Sequence, residues 1–318
     1  MTQKGGPRSG NRIAGLDKVT KSYGTYRVLN EISFSVRAGE IFGFIGPNGA
    51  GKTTTIKILV GLIKDFGGVA SIGSGPSNMR ALGYLPQFAA FQEWRTVDQA
   101  LTTFGRLSGM SVHEVKRRIP EVLDLLGIKD TRNRKITLLS GGTIQKVGMA
   151  QAILHDPDFL VLDEPMAGLD PASRYQFKYV FRQLSKDGTT ILFSSHILSD
   201  VQDVADRIGI INHGTLVHEG TLDELRDKMK VPKDIDIVLS KDSGSLQELK
   251  SVQGVTGIEP AAEGRMVVHL DANADIDASV DRLVRELVDG DSKIRSIYPV
   301  SPNLEQLYVQ FISGGVWA

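Results

Sequence analysis

The run Gly46-Pro47-Asn48-Gly49-Ala50-Gly51-Lys52-Thr53 holds the most readable chemistry in this sequence. It fits G-x-x-x-x-G-K-[ST] in full, with an apolar run before it and helical periodicity after it. Glycine tolerates backbone angles that turn successive amide N–H groups toward one point, and the start of the following helix adds partial positive charge there. Such a concavity binds phosphate. Lys52 supplies the cation that bridges the terminal phosphates of a nucleotide, and Thr53 supplies a hydroxyl for Mg²⁺. Thr54, next along the helix, completes the nucleotide-binding set. A glycine turn carrying a chance lysine is the competing reading, and both flanks argue against it.

A second element is Phe159-Leu160-Val161-Leu162-Asp163-Glu164. An apolar strand ending in two carboxylates leaves acid at a sheet edge, which is costly unless a cation or a substrate uses it. Asp163 can hold Mg²⁺ through water, and Glu164 can orient or deprotonate an attacking water. Capping of the next turn would account for either acid alone. Beside a phosphate loop, the pair reads as a site.

These groups need a scaffold that brings distant segments together. Short β-rich runs at 12–19 and 28–36 suggest strands, and 41–45 is nearly continuous in apolar residues, as in a strand buried on both faces. A helix is expected over 52–62 and a turn at Gly67-Gly68. Two amphipathic helices fit 96–126, with Leu101, Phe104, Val115, Ile119, Val122 and Leu126 facing a core. Helix 143–154, strand 159–162, helix 173–184 and strand 190–193 then alternate. This order predicts an α/β P-loop NTPase fold, a mainly parallel sheet with an antiparallel β subdomain and a helical insertion at about 88–140. Thr221-Leu222-Asp223-Glu224 is a capping box opening a short helix. Beyond it, strands at 234–239, 255–258, 266–270 and 294–300 with helices at 245–252 and 278–288 give the β-α-β-β-α-β order of a small ferredoxin-like α+β domain, closed by a helix at 304–311. The expected organisation is a flexible tail over 1–11, a nucleotide-binding domain over 12–230 and an accessory domain over 231–318.

Composition narrows the function. Apolar and charged fractions of 41% and 23% are those of an ordinary globular chain. Acidic and basic residues balance at 37 each, which argues against a broad nucleic-acid face. The absence of cysteine excludes disulfides, zinc–thiolate sites and thiol nucleophiles. No apolar run reaches the roughly 20 residues that span a bilayer, so work at a membrane would go through a partner.

Leu139-Ser140-Gly141-Gly142, just upstream of the acidic strand, completes a pattern that other phosphate-loop proteins lack. With it, residues 19–219 resemble the ATP-binding cassette family. The resemblance implies ATP and Mg²⁺ as ligands. It implies that Ser140, Gly141 and Gly142 close on ATP held by an opposite subunit, so that hydrolysis needs a dimer, either a homodimer or a pair with a paralogous cassette. Tyr23 matches the aromatic that stacks on adenine, with a core tyrosine as the rival reading. Gln87, in Gly83-Tyr84-Leu85-Pro86-Gln87, matches the glutamine that touches Mg²⁺ and water and that begins the region where a membrane permease docks. Asp170, in Gly168-Leu169-Asp170-Pro171, matches the loop joining the two sites. His196 matches the switch histidine on the γ-phosphate.

Two departures stand out: Thr143 replaces the signature's usual glutamine, and Ala167 a typical serine. Both could weaken dimer closure, although Ser140 and Glu164 are retained. The stretch 71–80 also looks short for the family. The final helix, with Asn303-Leu304-Glu305-Gln306-Leu307-Tyr308, is similar to the end of drug- and lipid-exporter ATPases. The expected function is therefore a Mg-dependent ATPase subunit on the cytoplasmic face of the cell membrane, driving a separate exporter permease. Alternatives are a soluble cassette acting on ribosomes or nucleic acid, and an inactive nucleotide-binding regulator. The single phosphate loop, the neutral charge and the retained Glu164 and His196 weigh against both.

Overall fold

A computed structural model of the chain describes residues 12–73, 82–229, 233–241, 249–261, 264–271, 274–300 and 303–313. The chain divides into two compact units, Met1–Leu222 and Asp223–Ala318. The expected tail at 1–11 and most of the short 71–80 stretch lie outside the described residues. So do 230–232, where the sequence suggested a domain boundary.

The first unit is built on two sheets. In the smaller, β1 (Arg12–Tyr23) pairs antiparallel with β2 (Tyr26–Arg37) on one side and β4 (Gly67–Ile72) on the other. The larger contains β3 (Ile41–Ile45), β5 (Leu82–Leu85), β6 (Phe159–Leu162), β7 (Thr190–Ser195), β8 (Arg207–Asn212) and β9 (Thr215–Gly220) in the order β5-β6-β7-β3-β8-β9. It is parallel from β5 to β8, and β9 closes it antiparallel. Every residue of β3 and β6 is buried, as their unbroken apolar runs require.

One core joins the two sheets. Phe34 of β2 stacks on Phe42 and Phe44 of β3 with centroids 5.5 and 5.3 Å apart. Ile56 and Ile58 of α1 (Lys52–Leu59) fill the same core with Leu16, Val19 and Ile32. On the other side of β3, a Cβ on Gly43 would lie 2.4 Å from Val201 Cγ1, so glycine there lets α6 (Leu198–Val204) lie close on the strand.

The insertion holds α2 (Val97–Leu107) and α3 (Val112–Leu125), each opened by a capping box, Thr96 with Gln99 and Ser111 with Glu114. Leu101, Val115, Ile119, Val122 and Leu126 are fully buried, and Phe104 meets Phe91 edge to face. α4 (Gly141–Ile153) and α5 (Pro171–Lys186) follow, both starting two residues earlier than the periodicity suggested. Two local expectations need correction. The helix after the phosphate loop ends at Leu59, and Gly67-Gly68 opens strand β4 instead of a turn. Gly68 has φ +90°, and a Cβ there would sit 2.4 Å from the Lys18 carbonyl oxygen, so a glycine that signals a turn serves close strand entry.

In the second unit, α7 (Leu222–Lys228) precedes β10 (Lys233–Lys241), β11 (Val255–Pro260), β12 (Arg265–Leu270), α8 (Ile276–Asp289), β13 (Lys293–Val300) and α9 (Leu304–Ser313). The sheet order β11-β12-β10-β13, antiparallel throughout, is that of a ferredoxin-like unit. Of the helix expected at 245–252, 245–248 lie outside the described residues, and Leu249 and Lys250 are helical. Ile235, Ile237, Val268, Leu283 and Leu287 form its core. On the opposite sheet face the buried Asp236 pairs with Arg265 and accepts from the Tyr298 hydroxyl at 3.2 Å.

The Phe34 contact should dominate the first unit's stability. Phe34→Ala removes a ring stacked between two others and should cost about 3–5 kcal/mol, seen as a lower urea midpoint. A loss below about 1 kcal/mol would mean the two sheets do not depend on this core.

Candidate functional site

β6, β7 and β3 are neighbours and run parallel, so their C-terminal ends meet at one edge of the sheet. The loop 46–51 leaves β3 at that edge and feeds α1. Its backbone needs glycine at specific points: Gly49 and Gly51 have φ of +80° and +109°. A Cβ on Gly46 would lie 2.3 Å from the Ile211 carbonyl oxygen, so the loop is pressed against the end of β8. Lys52, the first residue of α1, is 6% exposed. Its ammonium donates to the carbonyl oxygens of Gly46 at 2.8 Å and Pro47 at 3.3 Å, folding the side chain back along the loop. Thr53 and Thr54 are half-buried in the first turn beside it.

β6 delivers the acids. Glu164, 4% exposed, has φ +50°, a region a non-glycine residue occupies only when its surroundings impose it. One carboxylate oxygen lies 3.2 Å from Lys52 Nζ, and the other lies 2.8 Å from His196 Nδ1 and accepts the His196 N–H at 3.4 Å. Residues from three strand ends thus converge on one carboxylate. Asp163 is 1% exposed. Its Oδ1 accepts from the Ser194 hydroxyl at 2.7 Å, and the Ser194 oxygen in turn accepts the Glu164 N–H at 2.8 Å. Its Oδ2 is buried with no hydrogen-bond partner. The Tyr84 hydroxyl is also buried without a partner, and burial together with the Asp163 charge pushes its pKa up to about 12.

An unpartnered carboxylate oxygen is an expensive thing to bury. It fits a hard cation. No cluster of three or more His, Cys, Asp or Glu suited to a metal occurs among the described residues. Asp163 and Thr53 both offer oxygen donors, the ligand type that suits Mg²⁺.

Other expected residues lie further out. Gln87 is exposed just past β5 and forms no hydrogen bond with Asp163 or Glu164. Tyr23, at the end of β1, is 52% exposed, which rules out the core-tyrosine alternative. Ser140 caps α4, with the Thr143 N–H donating to its Oγ at 3.3 Å and the two hydroxyl oxygens 2.9 Å apart. Gly141 and Gly142 form the first turn there, and Gly142 faces Leu169. Asp170 caps α5, accepting from the Ser173 N–H and hydroxyl, and those bonds hold its pKa below the usual carboxylate value. Sequence reasoning missed Ser194 and Gly148. A serine inside the apolar run of β7 was the available signal for the first. Gly148 lets α4 touch Leu85 and Ala89, where a Cβ would sit 2.7 and 2.8 Å from them, tying the helix capped by Ser140 to the segment around Gln87.

Residues 29–167 match the ABC transporter family. The chain is 31% identical over 305 residues to the linearmycin resistance ATP-binding protein LnrL of Bacillus subtilis, covering 92% of this chain and 96% of that protein. It is 36% identical over 247 residues to the ABC transporter ATP-binding protein YxlF of the same organism, covering 77% and 83%. The Nod factor export ATP-binding protein I of Bradyrhizobium diazoefficiens is 35% identical over 224 residues, 69% of this chain and 73% of that protein. A solved ATP-binding subunit of an ABC transporter superposes with a TM-score of 0.64 at 30% identity, over 68% of this chain and 92% of that one.

The Ser194 hydroxyl joins the two acids, so its removal should be felt in the fold. Ser194→Ala leaves the buried Glu164 N–H and Asp163 Oδ1 without their partner, and a loss of about 1–3 kcal/mol is expected in urea denaturation. An unchanged midpoint would show that neither bond matters to the folded state.

Proposed function

The chain belongs to the ABC transporter family of ATP-binding proteins, and from that premise we propose that it is the Mg-dependent ATPase subunit of an exporter. The observation that carries this reading is the convergence of Lys52, Glu164 and His196 beside the unpartnered Asp163 Oδ2. In the free protein Glu164 occupies the cation that a terminal phosphate requires. An arriving triphosphate brings more negative charge to the loop Gly46-Pro47-Asn48-Gly49-Ala50-Gly51, where every residue but Pro47 carries an amide N–H, and takes Lys52 over, with Thr53 and Thr54 in contact. Glu164 is then released to hold the attacking water and accept its proton, with His196 keeping the carboxylate oriented and reaching the γ-phosphate. Asp163, Thr53 and Gln87 are the residues that would hold Mg²⁺, whose charge would offset that of the phosphates.

Ser140, Gly141 and Gly142 at the α4 N-terminus form the cover for ATP on a second copy or a paralogous cassette, and Asp170 links the two sites. Phe88 and Trp94, 82% and 65% exposed in the segment after Gln87, supply apolar surface for a membrane permease. No described helix is long and apolar enough to cross a membrane, which is consistent with a peripheral subunit on the cytoplasmic face of the membrane. Export as the direction is supported by the relatives named for resistance and for Nod factor export. The second unit, 223–318, is read as an accessory domain.

Two variants test the chemistry. Lys52→Ala should weaken ATP binding about tenfold to a hundredfold, the worth of a charge-assisted contact; near-native affinity by calorimetry would refute the phosphate site. Glu164→Gln removes the internal competitor for Lys52 along with the base. ATP affinity should hold or rise while phosphate release falls at least about a hundredfold. Undiminished release would assign activation of the water to another group.

A further inference from the structure

One buried cation takes no part in the phosphate chemistry. Lys21, on β1, is 7% exposed. Its ammonium donates to the Asp65 carbonyl oxygen at 2.6 Å and to Asp65 Oδ2 at 3.0 Å. The Asp65 side chain itself is fully exposed, so the desolvation falls on the lysine. An ammonium is costly to remove from water unless its protons are used. Asp65 accounts for two of the three. On the remaining side the ammonium sits over the Tyr23 ring, 5.0 Å from its centroid. Lys21 and Tyr23 are two apart on one strand and share a face. Half of Tyr23 stays in solvent.

We propose that Lys21 is a positioning residue for the nucleotide base: its ammonium holds one face of the Tyr23 ring and leaves the other open for adenine to stack. The inference rests on the reading of Tyr23 as the base platform. A cation over an aromatic face is most effective where the cation is desolvated, as it is here. An exposed tyrosine at a strand end would otherwise lose rotamer freedom on binding, and fixing it beforehand lowers that cost. The anchor has a second consequence. Asp65 lies on the segment that follows α1, so the helix that begins with Lys52 also ties down the base platform. Phosphate and base subsites share one support.

The test uses the full chain, with ATP and inorganic tripolyphosphate as the two probes in calorimetric titrations. Lys21→Met keeps the length and apolar stem of the side chain and should weaken ATP about three- to tenfold while leaving tripolyphosphate affinity unchanged. Lys21→Arg keeps a cation over the ring and should stay within about twofold of the native protein for ATP. In a Tyr23→Ala background, Lys21→Met should add no further loss. Equal weakening of both probes by Lys21→Met would overturn the proposal in favour of a purely structural tie. Unchanged ATP affinity in Lys21→Met would overturn it as well. If Tyr23→Ala alone leaves ATP affinity intact, the base platform is wrong and the inference falls with it, an outcome separable from failure at Lys21.

Discussion

The contact between Lys52 and Glu164 is the constraint around which the first unit is arranged. Both side chains are almost wholly removed from water, and their charged atoms lie 3.2 Å apart. Removing either partner from such a pair strands a charge in a poorly solvating interior, while keeping both still carries a desolvation cost. The arrangement is therefore a poor stabiliser and a sensitive one. It holds only because three neighbouring parallel strands end together: β3 feeds the loop to Lys52, β6 leads into Asp163 and Glu164, and β7 runs into His196. A ligand that separates the pair must itself be strongly anionic and must leave room for the displaced carboxylate. On the proposed reading, this favours a phosphate chain over a simple monovalent anion.

Packing behind the site serves the same geometry. Positive φ at Glu164 stores conformational cost beside the contact, whereas Gly49 and Gly51 take up the same region freely. Such angles persist where surrounding structure over-determines them. Here that structure is the Phe34, Phe42 and Phe44 stack beneath the loop, the close approach of α6 to Gly43, and the Ser194 hydroxyl that joins Asp163 to the Glu164 backbone.

What was legible in the sequence follows from how local each feature is. The phosphate loop needs only its own glycines, one lysine and a strand–helix context, so it could be read directly. Strands β3 and β6 were clear because burial on both faces removes polar alternation. The antiparallel ferredoxin-like order of the second unit followed from element order alone. Gly67-Gly68 misled because glycine signals positive φ without saying whether a turn or a close strand entry needs it. The roles of Ser194, Tyr84 and Lys21 depend on which strand lies alongside. A serine in an apolar strand or a lysine near a tyrosine carries no mark of its cross-strand partner. His196 was placed by resemblance as a phosphate contact, and the structure adds its bond to Glu164, which no spacing rule supplies.

Thr143 shows how one departure from the family pattern acts through local chemistry. A glutamine at that position would project past the helix start, whereas threonine is short enough for its hydroxyl to lie 2.9 Å from Ser140 Oγ while its N–H donates to the same oxygen. The serine is thereby committed to capping α4, a stable arrangement for a helix N-terminus standing in water. On the proposed reading, that same hydroxyl must turn to a phosphate held by the opposing copy. Closure would then exchange a neutral local bond for a charge-assisted one, which is the stronger of the two in a site from which water has been excluded. The cap thus keeps the free helix end satisfied without competing strongly once a second copy arrives. Because α4 rests on Leu85 and Ala89 through Gly148, a shift at Ser140 bears directly on the segment that holds Gln87. On the proposed reading, the substitution therefore bears on the coupling between nucleotide and partner surfaces, and it touches neither Asp163 nor Glu164.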